Sequence, residues 1–387
     1  MLSDLSTLIS KKTQQSIKEG NTRLIFNTLI EYQPISRAGI KKLTKLSATT
    51  VSSLVEELIS EDLVEEIGLN DTSMVGRKAV LLRLNPKGAY FLGIEITNTH
   101  LKSDLYNLSF EVIKSREVDF SGSTDLTLKL IDLIEKTKAI TQSRLFGVTI
   151  GVPALVDSEE HRVVSSTVME TLPDRKTYQI VSDLVPDAFV CLKNNSSFVV
   201  YAEKEHHKNI KNLFSVDIND GVGAGLVVDG ELVTGQHGLA GEFGHLSVDY
   251  NGAPCPCGNR GCIEGLVSVR AILKRMSERY GKKLSLPDAV ALLDEGDKII
   301  KEVLDESAGI LAIGINSVLN LIDSDLVVIN GEIKAFGEHL LVPLKAYIEK
   351  TCFKKRRIQV EMSVGDGNSV TLGGAYYAFR TYFNKEN

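Results

Sequence analysis

Several features that would assign this 387-residue chain to other classes of protein are missing. No apolar run approaches the roughly 18 residues that a membrane-spanning helix needs, and the polar N-terminus carries no signal-peptide pattern. The net charge of −6 argues against a globally basic nucleic-acid binder. With 43% hydrophobic and 24% charged residues, the composition is that of a soluble globular protein with two or three structural units, and the cytoplasm is the expected location.

Cysteine is also scarce, with five residues in an uneven distribution. Cys191 and Cys352 stand alone and are expected to be buried apolar thiols, whereas the other three lie close together in the sequence. Such clustering favours metal ligation in a reducing compartment over a disulfide framework or a chance grouping of thiols. Three thiolates and one imidazole close a tetrahedral zinc site and leave no open position, so we expect a structural zinc ion. The candidate ligands are His245, Cys255, Cys257 and Cys262.

Two carboxylates, Glu242 and Glu264, bracket this cluster. Glu242 lies three residues before His245, so both side chains can face one pocket. Carboxylates accept paired hydrogen bonds from vicinal hydroxyls, as a sugar site requires. The alternative interpretation is a pair of solvated glutamates.

The N-terminal segment has a charge balance opposite to that of the whole chain. Residues 1–53 contain eight Lys/Arg and three acidic residues, which is typical of a DNA-binding module on an acidic body. Apolar periodicity predicts a helix over residues 21–33 with Asn21 as its N-cap, a short helix capped by Ser36, and a third helix with an apolar stripe over residues 51–59. Two short strands around a polar loop follow. Together these elements predict a winged helix-turn-helix over residues 1–87.

Small polar side chains of the third helix point away from its apolar stripe and allow close approach to the major groove. Glu56 and Glu57 follow on the same helix and would repel phosphate, so only its N-terminal half should enter the groove. Basic residues on the preceding helix and the wing could neutralise phosphates. The alternative is a helical interaction module with a solvated basic face. The candidate DNA-binding residues are Arg37, Ser47, Ala48, Thr49, Thr50, Ser52, Ser53, Arg77 and Lys78.

From Tyr90 onward, short strands are followed by amphipathic helices in two successive rounds, and a closing helix is predicted over residues 370–382. This pattern predicts an α/β fold with two lobes and a cleft between them. A glycine-rich turn at residues 220–225 lies between two predicted strands. It could cradle phosphate with its backbone N–H groups or form only a tight hairpin.

Together these residues resemble the ROK family of repressors, open reading frames and sugar kinases. The resemblance rests on the segment 235–245 and on the cysteine-containing segment 255–264. The resemblance implies a winged helix at residues 1–87 and, at residues 88–387, the two-lobed actin-like, ribonuclease-H-like fold of ROK sugar kinases. Lobe 1 would comprise about residues 88–195 with the C-terminal helix 370–387, and lobe 2 about residues 196–369 with the zinc site.

The resemblance also assigns residues and partners. Zinc would be held by His245 and the three clustered cysteines. An assembly as a homodimer or a dimer of dimers is implied. The sugar would lie between the lobes, at Asn194, Asn195, Glu242, His245 and Glu264.

Departures from the family's kinases decide the expected function. Those kinases carry Glu-Asn-Asp, whose aspartate is the general base, whereas residues 193–195 here read Lys-Asn-Asn, and an amide cannot take the proton. The kinases' Asp-x-Gly-x-Thr phosphate loop matches residues 95–99, where Thr97 replaces the glycine that lets phosphate approach the backbone closely. Asn330-Gly331-Glu332 stands where kinases tend to have consecutive glycines.

We therefore expect a sugar-responsive repressor of carbohydrate uptake or catabolism genes that is not an enzyme. It would bind a pseudo-palindromic operator as a dimer and respond to a small sugar or sugar phosphate, without contact to a membrane. One alternative is an ATP-dependent ROK sugar kinase with a DNA-binding appendage. Another is a constitutive or partner-controlled repressor with a vestigial sugar pocket.

Overall fold

The computed structural model describes most of the chain, and the statements below concern that part. The described residues are 2–69, 79–97, 99–119, 126–142, 144–157, 160–166, 169, 175–353, 357–365 and 369–384. Among them, no helix has both the length and the apolar character needed to cross a membrane. Arg77 and Lys78, predicted to contact DNA from the wing, lie outside the described residues.

The N-terminal unit contains three helices and an antiparallel sheet of three short strands in the order β1-β3-β2. Its elements are α1 (Leu2–Tyr32), β1 (Ile35–Ser36), α2 (Arg37–Thr44), α3 (Ala48–Ser60), β2 (Val64–Leu69) and β3 (Val80–Leu84). Ser36 caps α2 as predicted, since its hydroxyl accepts a 3.1 Å hydrogen bond from the Gly39 amide. Three helices followed by the β2–β3 pair form the winged helix that the sequence predicts.

The predicted start of the first helix was wrong. Asn21 lies inside α1 and does not cap it, because the helix begins at Leu2. Residues 10–20 contain good helix formers such as lysine, glutamine and glutamate but few apolar residues. Helix propensity therefore supports this segment, whereas apolar periodicity gives no signal there.

The remainder of the chain contains two five-stranded sheets with the same plan. In each sheet the first three strands form an antiparallel meander, and two parallel strands extend the sheet beside the first strand. Counted within each sheet, the strand order is 3-2-1-4-5 in both. The sequence predicted two rounds of strands and helices, and the structure contains them.

The first sheet has the order β10-β7-β4-β5-β6, and a two-stranded β8-β9 pair accompanies it. Its hydrophobic core lies between the sheet and the helices α4 and α5. The elements are β4 (Tyr90–Ile96), β5 (His100–Asn107), β6 (Val112–Asp119), α4 (Leu126–Thr141), β7 (Leu145–Val152), β8 (Leu155–Asp157), β9 (Arg162–Ser165), α5 (Arg175–Leu184) and β10 (Phe189–Asn194).

The second sheet has the order β13-β12-β11-β14-β15, and its core contains apolar residues of five helices. Short 3-10 helices span Phe243–His245 and Glu332–Phe336. The elements are α6 (Asn195–His206), β11 (Leu213–Ile218), β12 (Val222–Val228), β13 (Glu231–Leu232), α7 (Glu264–Val267), α8 (Val269–Tyr280), α9 (Leu286–Asp294), α10 (Lys298–Leu319), β14 (Leu326–Asn330), α11 (Glu338–Thr351), β15 (Gln359–Met362) and α12 (Ser369–Asn384).

Helices α6 and α12 lie between the two sheets. α6 packs on β11 and β12 of the second sheet, and α12 packs on α6 and on β4 and β7 of the first. Their approach is so close that a Cβ atom added at Gly373 of α12 would lie 1.8 Å from the Phe198 carbonyl oxygen of α6. A glycine is therefore required at this helix crossing.

This close approach predicts the effect of two matched glycine-to-alanine changes. Gly373→Ala forces α12 away from α6 and should lower the free energy of unfolding by about 1–3 kcal/mol. Gly20→Ala places its Cβ in open space within α1 and should raise it by up to about 1 kcal/mol. Urea denaturation of the two variants and the parent measures both values. If the two substitutions changed the free energy of unfolding equally, the close contact between α6 and α12 would be contradicted.

Candidate functional site

The predicted metal ligands come together in one cluster. The ligand atoms of His245, Cys255, Cys257 and Cys262 all lie within 4.8 Å of one another. The Sγ atoms of Cys257 and Cys262 are 3.7 Å apart, and Cys255 Sγ is 3.7 Å from His245 Nδ1. Two ligands of a tetrahedral zinc ion, each at its usual bond length, lie about 3.5–3.8 Å apart. The donor set and its spacing therefore fit a tetrahedral metal ion such as zinc.

The loop that carries the cysteines is held by its own backbone. Isolated antiparallel bridges pair Ser247 with Cys262 and Pro254 with Arg260. Gly261 has a φ of +61°, and a Cβ atom there would lie 1.9 Å from the Asp249 carbonyl oxygen. Glycine is thus required at this turn, which places Cys262 opposite the other ligands.

His245 faces the cysteine cluster with one ring nitrogen and a carboxylate with the other. Its Nδ1 lies beside Cys255, and its Nε2 lies 4.0 Å from Glu242 Oε2. Burial raises the pKa of the Glu242 carboxyl, His245 opposes that shift, and the negative charge of Glu264 adds to it. The structure therefore brings Glu242, His245 and Glu264 into one neighbourhood.

The glycine-rich turn at residues 220–225 forms the hairpin between β11 and β12, in which Ile218 pairs with Val222. The Val222 amide donates a 3.0 Å hydrogen bond to Glu264 Oε2. This backbone N–H group is therefore used to hold the Glu264 carboxylate. Of the two interpretations of the turn, the structure supports the hairpin.

The two predicted asparagines lie where β10 ends and α6 begins. Asn194 caps α6: its Oδ1 accepts from the Ser196 amide at 2.9 Å, and its Nδ2 donates to the Ala154 carbonyl at 3.0 Å. Asn195 is buried, and its Oδ1 has no hydrogen-bond partner among the described residues. An unpaired buried acceptor is costly, and this oxygen lies against Gly151 at the end of β7.

The asparagine pair and the carboxylates approach one another through the β11–β12 hairpin. A Cβ atom added at Gly223 would lie 2.1 Å from the hydroxyl of Ser196, next to Asn195. Val222, the preceding residue, holds Glu264 from the same hairpin. The hairpin is thus a neighbour of both halves of the candidate site.

Two partly buried carboxylates, Glu95 on β4 and Asp217 on β11, lie close enough for their charges to interact. Burial raises the pKa of the Glu95 carboxyl to about 7, with Lys102 opposing and Asp217 adding to the shift. Burial also raises the pKa of Asp217 to about 6, against a hydrogen bond from Asn219 and the charge of Lys334. The sequence analysis missed Asp217, although an acidic residue within the buried apolar strand β11 was a usable signal.

The candidate DNA-reading surface lies on α3. Val51, Leu54, Val55 and Leu58 are buried, and the predicted polar face is exposed. Ser47 caps the helix, accepting from the Thr50 amide, and its hydroxyl lies 2.8 Å from those of Thr49 and Thr50. The remaining predicted residues on this face, Ala48, Ser52 and Ser53, are exposed.

The acidic residues of α3 are neutralised by neighbouring cations. Arg37 forms ion pairs of 2.6 Å with Glu56 and 2.7 Å with Glu66. Lys18 of α1 forms a 2.7 Å ion pair with Glu57. Arg37, predicted to meet phosphate, is thus engaged within the protein, where it offsets the repulsion of phosphate by Glu56.

A family model described as the ROK family matches residues 91–381. The chain belongs to the ROK family. It is 32% identical over 327 residues to a xylose repressor of Bacillus spizizenii, and the matched region covers 83% of this chain and 84% of that protein. It also superposes, with a TM-score of 0.81 and 25% identity, on a ROK family transcriptional regulator described as a homologue of the E. coli MLC protein, over 95% of this chain and 97% of that one.

A ROK family kinase shares the two-lobed part of the fold. The ROK family glucokinase from Streptomyces griseus, solved in complex with glucose and AMPPNP, superposes with a TM-score of 0.65 at 19% identity over 76% of this chain and 100% of the kinase. The predicted fold class, a winged helix followed by a two-lobed ROK domain, is confirmed. The match to the regulator extends over nearly the whole chain, whereas the match to the kinase leaves about a quarter uncovered.

The cysteine cluster predicts different results for two cysteine-to-alanine variants. Cys262→Ala removes a metal ligand and should abolish stoichiometric zinc binding and lower the melting temperature by several degrees. Cys352→Ala, outside the cluster, should retain zinc and nearly the parent stability. Metal analysis and thermal denaturation of the purified proteins measure both. Equal zinc contents in the two variants would contradict the assignment.

The raised pKa of Glu95 predicts a pH-dependent stability. Because burial raises the pKa of this carboxyl to about 7, the folded protein binds a proton there more tightly than the unfolded chain does. That stabilisation is fully present below the ordinary glutamate pKa and is lost as the pH rises to about 7. Glu95→Gln should therefore raise the melting temperature, relative to the parent, more at pH 8 than at pH 5.

The same change at an exposed residue provides the control for Glu95→Gln. Glu349 is exposed on α11, so Glu349→Gln should shift the melting temperature equally at both pH values. If Glu95→Gln also changed the melting temperature by the same amount at pH 5 and at pH 8, the raised pKa of Glu95 would be refuted.

Proposed function

We propose that this chain is a sugar-responsive transcriptional repressor without kinase activity. One observation carries the proposal: Glu242, His245 and Glu264 are kept together, while the buried Asn195 amide stands where a family kinase has its general base. The chain can thus hold a polyhydroxylated ligand but lacks the group that would take its proton. The likeness to a xylose repressor along most of both chains supports this reading.

The sugar would bind between the lobes. Glu242 and Glu264 would accept hydrogen bonds from hydroxyl groups, and Asn195 would contribute its amide from the end of β10. Asn194 contributes chiefly by capping α6, because both of its polar atoms already have protein partners. Xylose is the first candidate ligand, from the name of the relative.

Zinc would be held by His245, Cys255, Cys257 and Cys262, as a structural ion. When bound, it supplies a cross-link that fixes the loop between Glu242 and Glu264. His245 is then oriented through Nδ1, and its Nε2 remains directed toward Glu242. The residues of this chain provide the sugar contacts.

The segment 95–99 also departs from the phosphate loop of the family kinases. Glu95 stands at the position of the kinases' aspartate, so a carboxylate there is common to both. Thr97, however, replaces the glycine that lets phosphate approach the backbone closely. This departure adds to the loss of the general base at Asn195 in disfavouring the kinase alternative.

Residues 1–87 would bind DNA and residues 88–387 would bind the sugar. In a homodimer or a dimer of dimers, two α3 helices would enter successive major grooves of a pseudo-palindromic operator in the cytoplasm. Sugar would release DNA because it binds the DNA-incompetent arrangement more tightly. A coupling of about 1–3 kcal/mol is typical of such systems.

A thermal-shift screen of the zinc-loaded full-length protein tests the proposal. The panel comprises D-xylose, other free pentoses and hexoses, N-acetylhexosamines and the corresponding phosphates. A sugar that binds the folded protein should raise its melting temperature, and the same sugar should weaken binding to a DNA fragment selected by this protein from a random-sequence pool. Incubation with ATP should yield no sugar phosphate.

Two variants separate the two activities. Glu264→Gln should lose stabilisation by sugar and retain DNA binding, because it removes the carboxylate charge while its amide oxygen can still accept the Val222 hydrogen bond. Ser53→Glu adds a negative charge to the exposed face of α3 and should lose DNA binding while it keeps the sugar-induced shift. A screen without any stabilising sugar would indicate a vestigial pocket, and ATP-dependent phosphorylation would establish a kinase.

A further inference from the structure

Helix α12 touches the candidate sugar site with its first turn and the winged helix with its last turns. It has 16 residues and is therefore about 24 Å long. The residues between these ends are packed tightly on both sides, by α6 and by the first sheet. Such a helix displaces as a rigid element and does not absorb a movement internally.

The first turn of α12 lies against the strand end beside the asparagine pair. A Cβ atom added at Gly151 would lie 2.5 Å from Asn195 Oδ1 and 2.7 Å from Val370 Cγ1. Val370 and Asn195 therefore share Gly151 as a neighbour at the end of β7. Only Gly151 therefore separates the Asn195 amide from Val370, in the first turn of α12.

The same turn is fixed to the first sheet by a buried hydrogen-bond network. Thr371 Oγ1 donates a 2.6 Å hydrogen bond to Asp104 Oδ2 and shares a 3.0 Å hydrogen bond with the Tyr106 hydroxyl. Three residues further on, a Cβ atom added at Gly374 would lie 2.2 Å from Thr149 Oγ1 of β7. The first turns of α12 are thus fixed to β5 and β7.

The other end of α12 completes the core of the winged helix. The ring centroid of Phe26, on α1, lies 4.4 Å from that of Phe383 and 5.9 Å from that of Phe379. Phe379 also meets Phe91 of β4 edge-on at 5.7 Å. One continuous core contains buried residues of α1, α2 and α3 together with Phe91 and Phe379. The winged helix is therefore packed onto α12 as part of one hydrophobic core.

We propose that α12 transmits occupancy of the cleft to the winged helix, through the contact of Phe379 and Phe383 with Phe26. This proposal rests on the proposed function, since it requires both sugar binding and DNA binding. A shift of the first turn, next to Asn195, moves the aromatic end and with it α1 and the α3 that packs on it. In a dimer, this changes the spacing of the two α3 helices on the operator.

The test measures coupling, defined as the dissociation constant for DNA at saturating D-xylose divided by that without sugar. The DNA is the fragment selected by the full-length protein, and another sugar from the screen replaces D-xylose if that sugar is the one that binds. We expect a ratio of about 5 to 150 for the parent. Phe383→Leu loosens the aromatic contact and should lower the ratio to less than about 2, while calorimetry shows sugar affinity within about threefold of the parent.

A second variant and a matched control make the outcome decisive. Val370→Ala loosens the opposite end of α12, leaves the aromatic contact intact and should also lower the ratio. Phe336→Leu makes the same change at a fully buried ring in the core of the second sheet, outside both contacts, and should keep the parent ratio. If Phe383→Leu abolishes DNA binding outright, the ratio measured for Val370→Ala alone tests the role of α12.

The possible failures are distinct from one another. A parent protein that binds DNA but shows a ratio of 1 with every sugar would refute the proposed function. A responsive parent whose ratio persists in both Phe383→Leu and Val370→Ala would overturn the role of α12. A ratio lowered equally in Phe336→Leu would assign the loss to general destabilisation and also overturn it.

Discussion

The imidazole of His245 is the group on which the candidate site depends, because its two nitrogens face different partners. Nδ1 lies 3.7 Å from Cys255 Sγ, and Nε2 lies 4.0 Å from Glu242 Oε2. A metal ligand that is fixed at one nitrogen has a fixed ring orientation and a defined state at the other. A metal ion held by the cysteine loop would therefore also orient His245 toward Glu242, and the affinities for metal and for the proposed ligand would be linked.

The features predicted well from the sequence are those whose partners lie close together along the chain. His245 and the cysteines fall within 18 residues, so their spacing alone indicated a common site, and the structure brings them together. The cap at Ser36 and the apolar stripe of α3 are also local properties, and both are present. The departures from the family kinases at residues 193–195 could be read from residue types alone, because the replacement of a carboxylate by an amide is visible in the sequence.

The features that the sequence left unpredicted depend on tertiary contacts. β10 and α6 were not located, because α6 is buried on nearly every side and so shows no amphipathic period. Residues 10–20 of α1 were not predicted to be helical for the opposite reason, since this polar stretch has helix propensity but few apolar residues. The partner of Glu264, the engagement of Arg37 and the capping role of Asn194 each depend on residues distant in sequence or on backbone atoms.

The shared core of α1 and α12 has a consequence for synthesis of the protein. Phe26 leaves the ribosome more than 340 residues before Phe379, so the first helices emerge without the aromatic surface against which they finally pack. Domains that carry their own core fold as they are made, whereas the core of this N-terminal unit also contains residues encoded far downstream. A prematurely terminated chain would expose Phe26 and its neighbours to chaperones and proteases. Completion of this core is therefore tied to the synthesis of α12.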